Sequence, residues 1–201
     1  MKWIVTTCNG REECVDYLRS EIPGLIVNKD DFQDTGIFKS TAWWNYQRSF
    51  QLAGEEACVI MDDDIALCRD FVPKVMAEIQ KDPHRIITFF SMKKSDRELG
   101  TRIMPAKSFI GMCCVYYPPG FATNFEHFMN TWYRILEHKS DKSNLFHCPI
   151  EFALQDYMAY CKVGYKIVVP NLVQHLGLKS AINPKRNPGR YSPTYKNDPT
   201  K

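Results

Sequence analysis

The sequence predicts an α/β domain with a mostly parallel, mixed sheet flanked by helices. Two observations predict it. Short apolar runs of strand length alternate with longer stretches of helical apolar spacing along most of the chain. The chain also opens in the order strand, loop, helix, strand, which is a βαβ start. A third observation locates a ligand site. The central run Cys58-Val59-Ile60-Met61 reads as a buried strand and stops at Asp62-Asp63-Asp64. Open α/β sheets place ligands beyond the carboxyl ends of such strands.

Residues 3–7 read as the first strand, with a turn at Cys8-Asn9-Gly10-Arg11 and a helix over 12–21 that puts Val15, Leu18 and Ile22 on one face. Pro23-Gly24 ends the helix and 25–27 form a second strand. Ser40-Thr41 would cap an aromatic helix over 42–52, in which Asn45 and Arg48 are three residues apart and share a face. After the acidic cluster, a helix is predicted from 69 to 81 and a buried strand over 86–90. Residues 92–107 are polar and basic and read as a long loop, with Lys93, Lys94, Arg97, Arg102 and Lys107 as a candidate rim for an anionic acceptor. A strand over 109–117 with Gly111 near its start, a helix over 121–136, a helix opened by Pro149-Ile150-Glu151 and running to 161, and a strand over 165–169 complete the alternation. The domain is expected to cover residues 1–182. Residues 183–201, rich in Pro, Asn, Lys and Arg, read as an irregular basic tail.

At 201 residues the chain can bury a full core, and 44% hydrophobic with 24% charged residues excludes a disordered class. A net charge of +3 is too small to argue for nucleic-acid binding by itself. The eight cysteines form no CxxC pair and several lie in apolar runs, so reduced thiols are expected rather than zinc or disulfides. No leader pattern and no apolar run of membrane-spanning length is seen, and a cytoplasmic protein is expected.

Three adjacent carboxylates repel one another, and a divalent cation such as Mg²⁺ or Mn²⁺ is the natural remedy, since both favour carboxylate oxygen. The bland reading is a turn or a helix cap. The chain resembles the GT-A superfamily of nucleotide-sugar glycosyltransferases on three features in order. Asp62-Asp63-Asp64 looks like its DxD motif after a hydrophobic strand. Pro149-Ile150-Glu151 is similar to the P-I-D that opens a helix in the N-acetylglucosaminyltransferase IV family. The run from Pro170 to Ser180 looks like that family's P-x-L-x-Q-H-x-G-x-x-S.

The resemblance implies a single GT-A, Rossmann-like domain and transfer of a sugar from a nucleoside-diphosphate donor, a UDP-sugar being favoured, to an acceptor hydroxyl on a saccharide or on a modified nucleic acid such as a hydroxylated DNA base. It implies Mn²⁺ (or Mg²⁺) with Asp64 as the leading ligand, Asp62 as a ligand or as a contact to the ribose or to another metal ligand, and His175 as a third ligand, and the imidazole tilts the choice to Mn²⁺. Asp63 either points into the sheet or replaces one of its two neighbours in contacting the donor or the metal. Thr6, Thr7 and Arg11 would hold the nucleotide, with Asn45, Arg48 and Gly111 near the donor. Glu151 and Asp156 compete for the role of general base, and five residues apart on a helix they do not share a face. Two rival readings are a nucleotidyl or phosphoryl transferase using the same carboxylates, and a saccharide or nucleic-acid binder without catalysis.

Overall fold

The computed structural model describes residues 1–30, 42–137, 149–178 and 190–196. The Ser40-Thr41 cap, Cys148, Ser180 and most of the basic tail lie outside these residues. The opening βαβ unit forms as expected from β1 (Lys2–Thr7), α1 (Glu12–Glu21) and β2 (Ile26–Lys29). Acidic Glu12 and Glu13 sit in the first turn of α1 and Arg19 in the last, matching the helix dipole. Then come α2 (Ala42–Ala53) and β3 (Cys58–Asp62), which pairs parallel to β1.

Next follow β4 (Ile65–Leu67), α3 (Phe71–Lys81) and β5 (Ile86–Thr88). The helix α3 begins at Phe71 rather than 69 because Asp70 takes a left-handed φ of 53°. The segment expected to be one long loop holds a short helix α4 (Asp96–Leu99), an edge strand β6 (Arg102–Met104) and a 3₁₀ turn (Ala106–Ser108). The chain closes with β7 (Cys114–Tyr117), α5 (Phe121–Glu137), α6 (Pro149–Tyr160), β8 (Tyr165–Ile167) and β9 (Val173–His175).

The sheet is not mostly parallel, which corrects the expected Rossmann-like, GT-A class. Its order is β2-β1-β3-β7-β5-β8-β6. Three pairs are parallel (β1–β2, β1–β3, β5–β8) and three antiparallel (β3–β7, β5–β7, β6–β8). A separate two-stranded antiparallel sheet pairs β4 with β9. The physical reason lies in residues 89–113. A parallel neighbour needs a crossover that carries the chain back along the sheet, usually on a helix. This segment has no crossover helix: after a four-residue helix it runs back along β8 only through the three-residue edge strand β6, and it then returns to the end of the sheet where β5 finishes. The chain therefore re-enters through β7 in the opposite direction, between β3 and β5.

Both faces of the central strands are buried. Ile4, Cys58, Ile60, Val115 and Tyr117 face α2, α5 and α6, while Trp3, Val5, Val59, Met61 and Tyr116 face α1 and α3. The alternation follows from the two-residue period of a strand. It explains why the sequence shows unbroken apolar runs there. Phe50 stacks edge-on against Tyr117 and Phe125 at 5.1 and 5.0 Å, and Trp43 stacks on Trp132 at 5.6 Å, which seats α2 on α5. The seven cysteines among the described residues are unpaired. Among the described residues, no helix is long and apolar enough to cross a membrane.

The basic segment spends its charges internally. Arg102 pairs with Asp96, whose side chain is 0% exposed. Lys93 Nζ donates to the Ser108 carbonyl at 2.9 Å, Arg97 to the Pro193 carbonyl at 3.0 Å, and Lys107 pairs with Asp156. Removing one partner of a buried ion pair strands the other, whereas an exposed pair contributes little. Arg102→Met should cost about 3–5 kcal/mol in urea unfolding. Lys107→Met should cost less than about 1 kcal/mol. Equal effects would contradict this ranking.

Candidate functional site

The carboxyl ends of β1 and β3 and the entry to β7 meet at one end of the sheet. Asp62, the last residue of β3, continues the pleat toward α2. Its carboxylate accepts hydrogen bonds from the Tyr46 hydroxyl and, at 3.4 Å, from Thr6 Oγ1. Asp63 turns the other way and is buried, accepting a 2.6 Å hydrogen bond from Thr7 Oγ1. Asn45 Nδ2 donates to the Thr7 carbonyl at 3.2 Å and so ties α2 to the end of β1. Arg48 is half-buried one turn further along α2.

Asp64 faces His175 across the small sheet. The ladder between β4 and β9 sets Ile65 opposite His175, and the Leu176 amide donates to the Asp64 carbonyl at 2.8 Å. His175 Nε2 lies 3.4 Å from Asp64 Oδ2, and both side chains are nearly enclosed. His175 Nδ1 accepts the Gly177 amide at 2.9 Å, so its proton belongs on Nε2, toward Asp64.

Glu151 opens the first turn of α6, and its Oε1 accepts the Gly111 amide at 2.9 Å. Gly111 has φ of +91°, and a Cβ there would sit 3.3 Å from the Phe90 ring. The position therefore favours glycine on backbone grounds, and the regular strand starts only at Cys114. Asp156 lies elsewhere on α6, where Lys107 and the Trp132 indole N–H hold its two oxygens. The structure thus gives Glu151 a place in the cluster and gives Asp156 structural partners.

The charges act on one another. Burial raises the Asp63 carboxyl, and Asp62 adds to the effect while Thr7 and Arg11 oppose it. Burial, then the charges of Asp62 and Asp63, push Asp64 up to about 7. Burial also raises Glu151, against the Gly111 hydrogen bond and the positive charge of Arg190. His175 is held below its ordinary value by burial. Arg190 and Tyr46 are the members that the sequence reading missed. Tyr46 reads as one more core aromatic of α2, and nothing in the sequence links a tail arginine to Glu151.

The expected metal centre is not formed. Among the described residues no group of three His, Cys, Asp or Glu side chains converges to hold a cation. Asp62 and Asp63 are turned to hydroxyl partners on opposite sides, which leaves only Asp64 and His175 facing each other. This corrects the Mn²⁺ or Mg²⁺ assignment to Asp62, Asp64 and His175, and with it the reading of Asp62-Asp63-Asp64 as a metal-binding DxD motif.

No protein-family model matches the chain, so none supplies a GT-A signature, and a comparison with curated proteins finds no match. Among solved structures it is similar to "A197 from STIV", with a TM-score of 0.49, 9% identity, and coverage of 87% of this chain and 84% of that one. At that level the likeness assigns no function.

Because the folded-state pKa of Asp64 is raised, ionising it costs the folded state. The cost is complete above about pH 7 and absent below the unfolded value of about 3.9. Asp64→Asn should therefore stabilise the protein at pH 8 by on the order of a few kcal/mol. The gain should shrink to nothing near pH 4. Melting temperatures of both proteins across this range test it, and a gain that does not change with pH would overturn it.

Proposed function

We propose that this chain is a glycosyltransferase that moves a sugar from a nucleoside-diphosphate donor, UDP-linked by preference, to an acceptor hydroxyl. The observation that carries the reading is the gathering, at the carboxyl ends of β1 and β3, of Thr6, Thr7, Arg11 and Asn45 with three aspartates, Glu151 and His175. Hydroxyl, amide and guanidinium groups suit a nucleotide, and the position fits where open sheets hold ligands. The similarity of the 149–151 and 170–180 runs to the N-acetylglucosaminyltransferase IV family supports the same chemistry.

In this reading Glu151 is the base. A carboxyl raised toward neutrality by burial takes a proton from an acceptor hydroxyl more effectively than an ordinary one. The Gly111 amide fixes its Oε1 and leaves the second oxygen for the acceptor. A saccharide acceptor is favoured over nucleic acid, because four of the five basic residues of the 92–107 segment already have internal partners. The unpaired cysteines among the described residues suit a reducing compartment and hence a cytoplasmic enzyme.

The test is release of nucleoside diphosphate from a panel of UDP-, GDP-, CDP- and ADP-sugars with mono- and disaccharide acceptors. Glu151→Gln should reduce turnover by roughly 10²–10⁴-fold while nucleotide affinity is kept. Asp156→Asn should keep turnover within a few-fold. Release from no donor, together with no thermal stabilisation by any nucleoside diphosphate, would overturn the assignment. Nucleotide binding without turnover of any donor would favour the binding-module alternative, and unchanged turnover in Glu151→Gln would overturn Glu151 as the base.

A further inference from the structure

Residues 190–196 have no regular secondary structure, yet they are fastened to the domain at several points. The Ser192 amide donates to Gln174 Oε1 at 2.7 Å, and its hydroxyl donates to Asn171 Oδ1. The Asn171 amide donates to Thr194 Oγ1 at 3.1 Å, Arg97 donates to the Pro193 carbonyl, and the Tyr195 hydroxyl donates to the Leu67 carbonyl at 3.0 Å. Asn171 is itself 2% exposed and also receives the Ser91 amide at 3.1 Å, so the strap is pinned to the loop that follows β5 as well as to β9.

The strap determines where Arg190 stands. Ser192 is bonded to Gln174, the neighbour of His175, and two residues of chain span at most about 7 Å. The Arg190 guanidinium is half-buried, and its charge is felt by Glu151 on α6, His175 on β9 and Cys113 before β7. It thus stands among three separate elements that border the site. Among the described residues it has no hydrogen-bond or ion-pair partner. The other guanidinium acting on the cluster is that of Arg11, which works on Asp63 and Asp64 from the β1 side. The groups that Arg190 acts on are therefore Glu151, His175 and Cys113, and Arg11 acts on His175 as well.

We propose that the strapped segment 190–196 is part of the binding site and that Arg190 holds the diphosphate of the donor. The inference rests on the glycosyltransferase reading and names the group that meets the leaving diphosphate. As the bond between the sugar carbon and the diphosphate oxygen breaks, the electron pair goes to that oxygen. The new bond forms to the acceptor oxygen, whose proton passes to Glu151. A guanidinium matches two phosphate oxygens in its plane, and no three-ligand cation site is built among the described residues to do so. In a site with four carboxyl groups, an anionic ligand depends on the few cations that face it.

The experiment is binding of UDP, GDP, CDP and ADP, and of the four parent nucleosides, by calorimetry at low salt. Arg190→Ala should weaken the preferred diphosphate at least tenfold and leave its nucleoside within twofold. Arg190→Lys should fall between. Ser192→Ala, which releases the pin on Asn171, should weaken the diphosphate severalfold, and its effect should disappear in an Arg190→Ala background. Melting temperatures check that each variant is folded. If the wild type binds a diphosphate and Arg190→Ala binds it equally well, the inference fails and the functional reading stands. If the wild type binds none of the four, the functional reading fails and takes the inference with it.

Discussion

Everything at the working end of this domain depends on how three consecutive carboxylates are kept apart at the end of a buried strand. Like charges a few ångströms apart in a partly dry site repel by several kcal/mol, so Asp62, Asp63 and Asp64 must be separated, neutralised or paired. The fold separates them. The pleat of β3 sends Asp62 toward Tyr46 on α2, Asp63 is taken by Thr7 at the end of β1, and Asp64 is carried by β4 to His175. Asp64 bears the residual cost: its carboxyl is pushed up to about 7 by burial first and by the charges of Asp62 and Asp63 next. Had the three pointed to one place, a cation would have been the simplest solution. Because they diverge, hydroxyls and protons do part of that work.

The outline of this arrangement was legible in the sequence, and its direction was not. The runs at β1, β3, β5 and β8 were readable because both faces of those strands are buried, and α1, α2 and α5 were readable from their apolar faces. Strand polarity leaves no such trace, since a two-residue period is the same whichever way the chain runs. The direction of β7 was decided by the return of residues 89–113, after the edge strand β6, to the end of the sheet where β5 finishes, which composition does not encode. The strands β4, β6 and β9 have three residues each, too few for alternation to show. Thr7, Asp63 and Asp64 were marked by their place at strand ends, and His175 by the resemblance of the 170–180 run. Tyr46 and Arg190 carried no mark, because one resembles a core aromatic and the other a solvated tail charge.

The basic segment illustrates how composition misleads. Five cations within sixteen residues look like a surface for an anion. In the structure they are mostly fasteners. Arg102 neutralises the enclosed Asp96, Lys93 spans to Ser108, Arg97 catches the strap, and Lys107 occupies Asp156. Segments without a helix or a long strand leave backbone carbonyls unpaired, and long cationic side chains are well suited to satisfy them. The same contacts decide between the two acidic residues of α6, since Asp156 is occupied as part of this fastening.

The mixed topology has a consequence for chemistry. An antiparallel β7 starts where β3 ends, with Met61 opposite Cys114, and so the segment just before β7 lies beside the aspartates. That segment contains Gly111, whose amide is the anchor for Glu151 from a helix much later in the chain. Had β7 run parallel to β3, its entry would lie at the far end of the sheet, and Glu151 would have no backbone donor at this site. The departure from the expected fold class and the gathering of Glu151 with the β3 carboxylates are thus one event. The direction of a single central strand brings the second half of the chain to the end of the first.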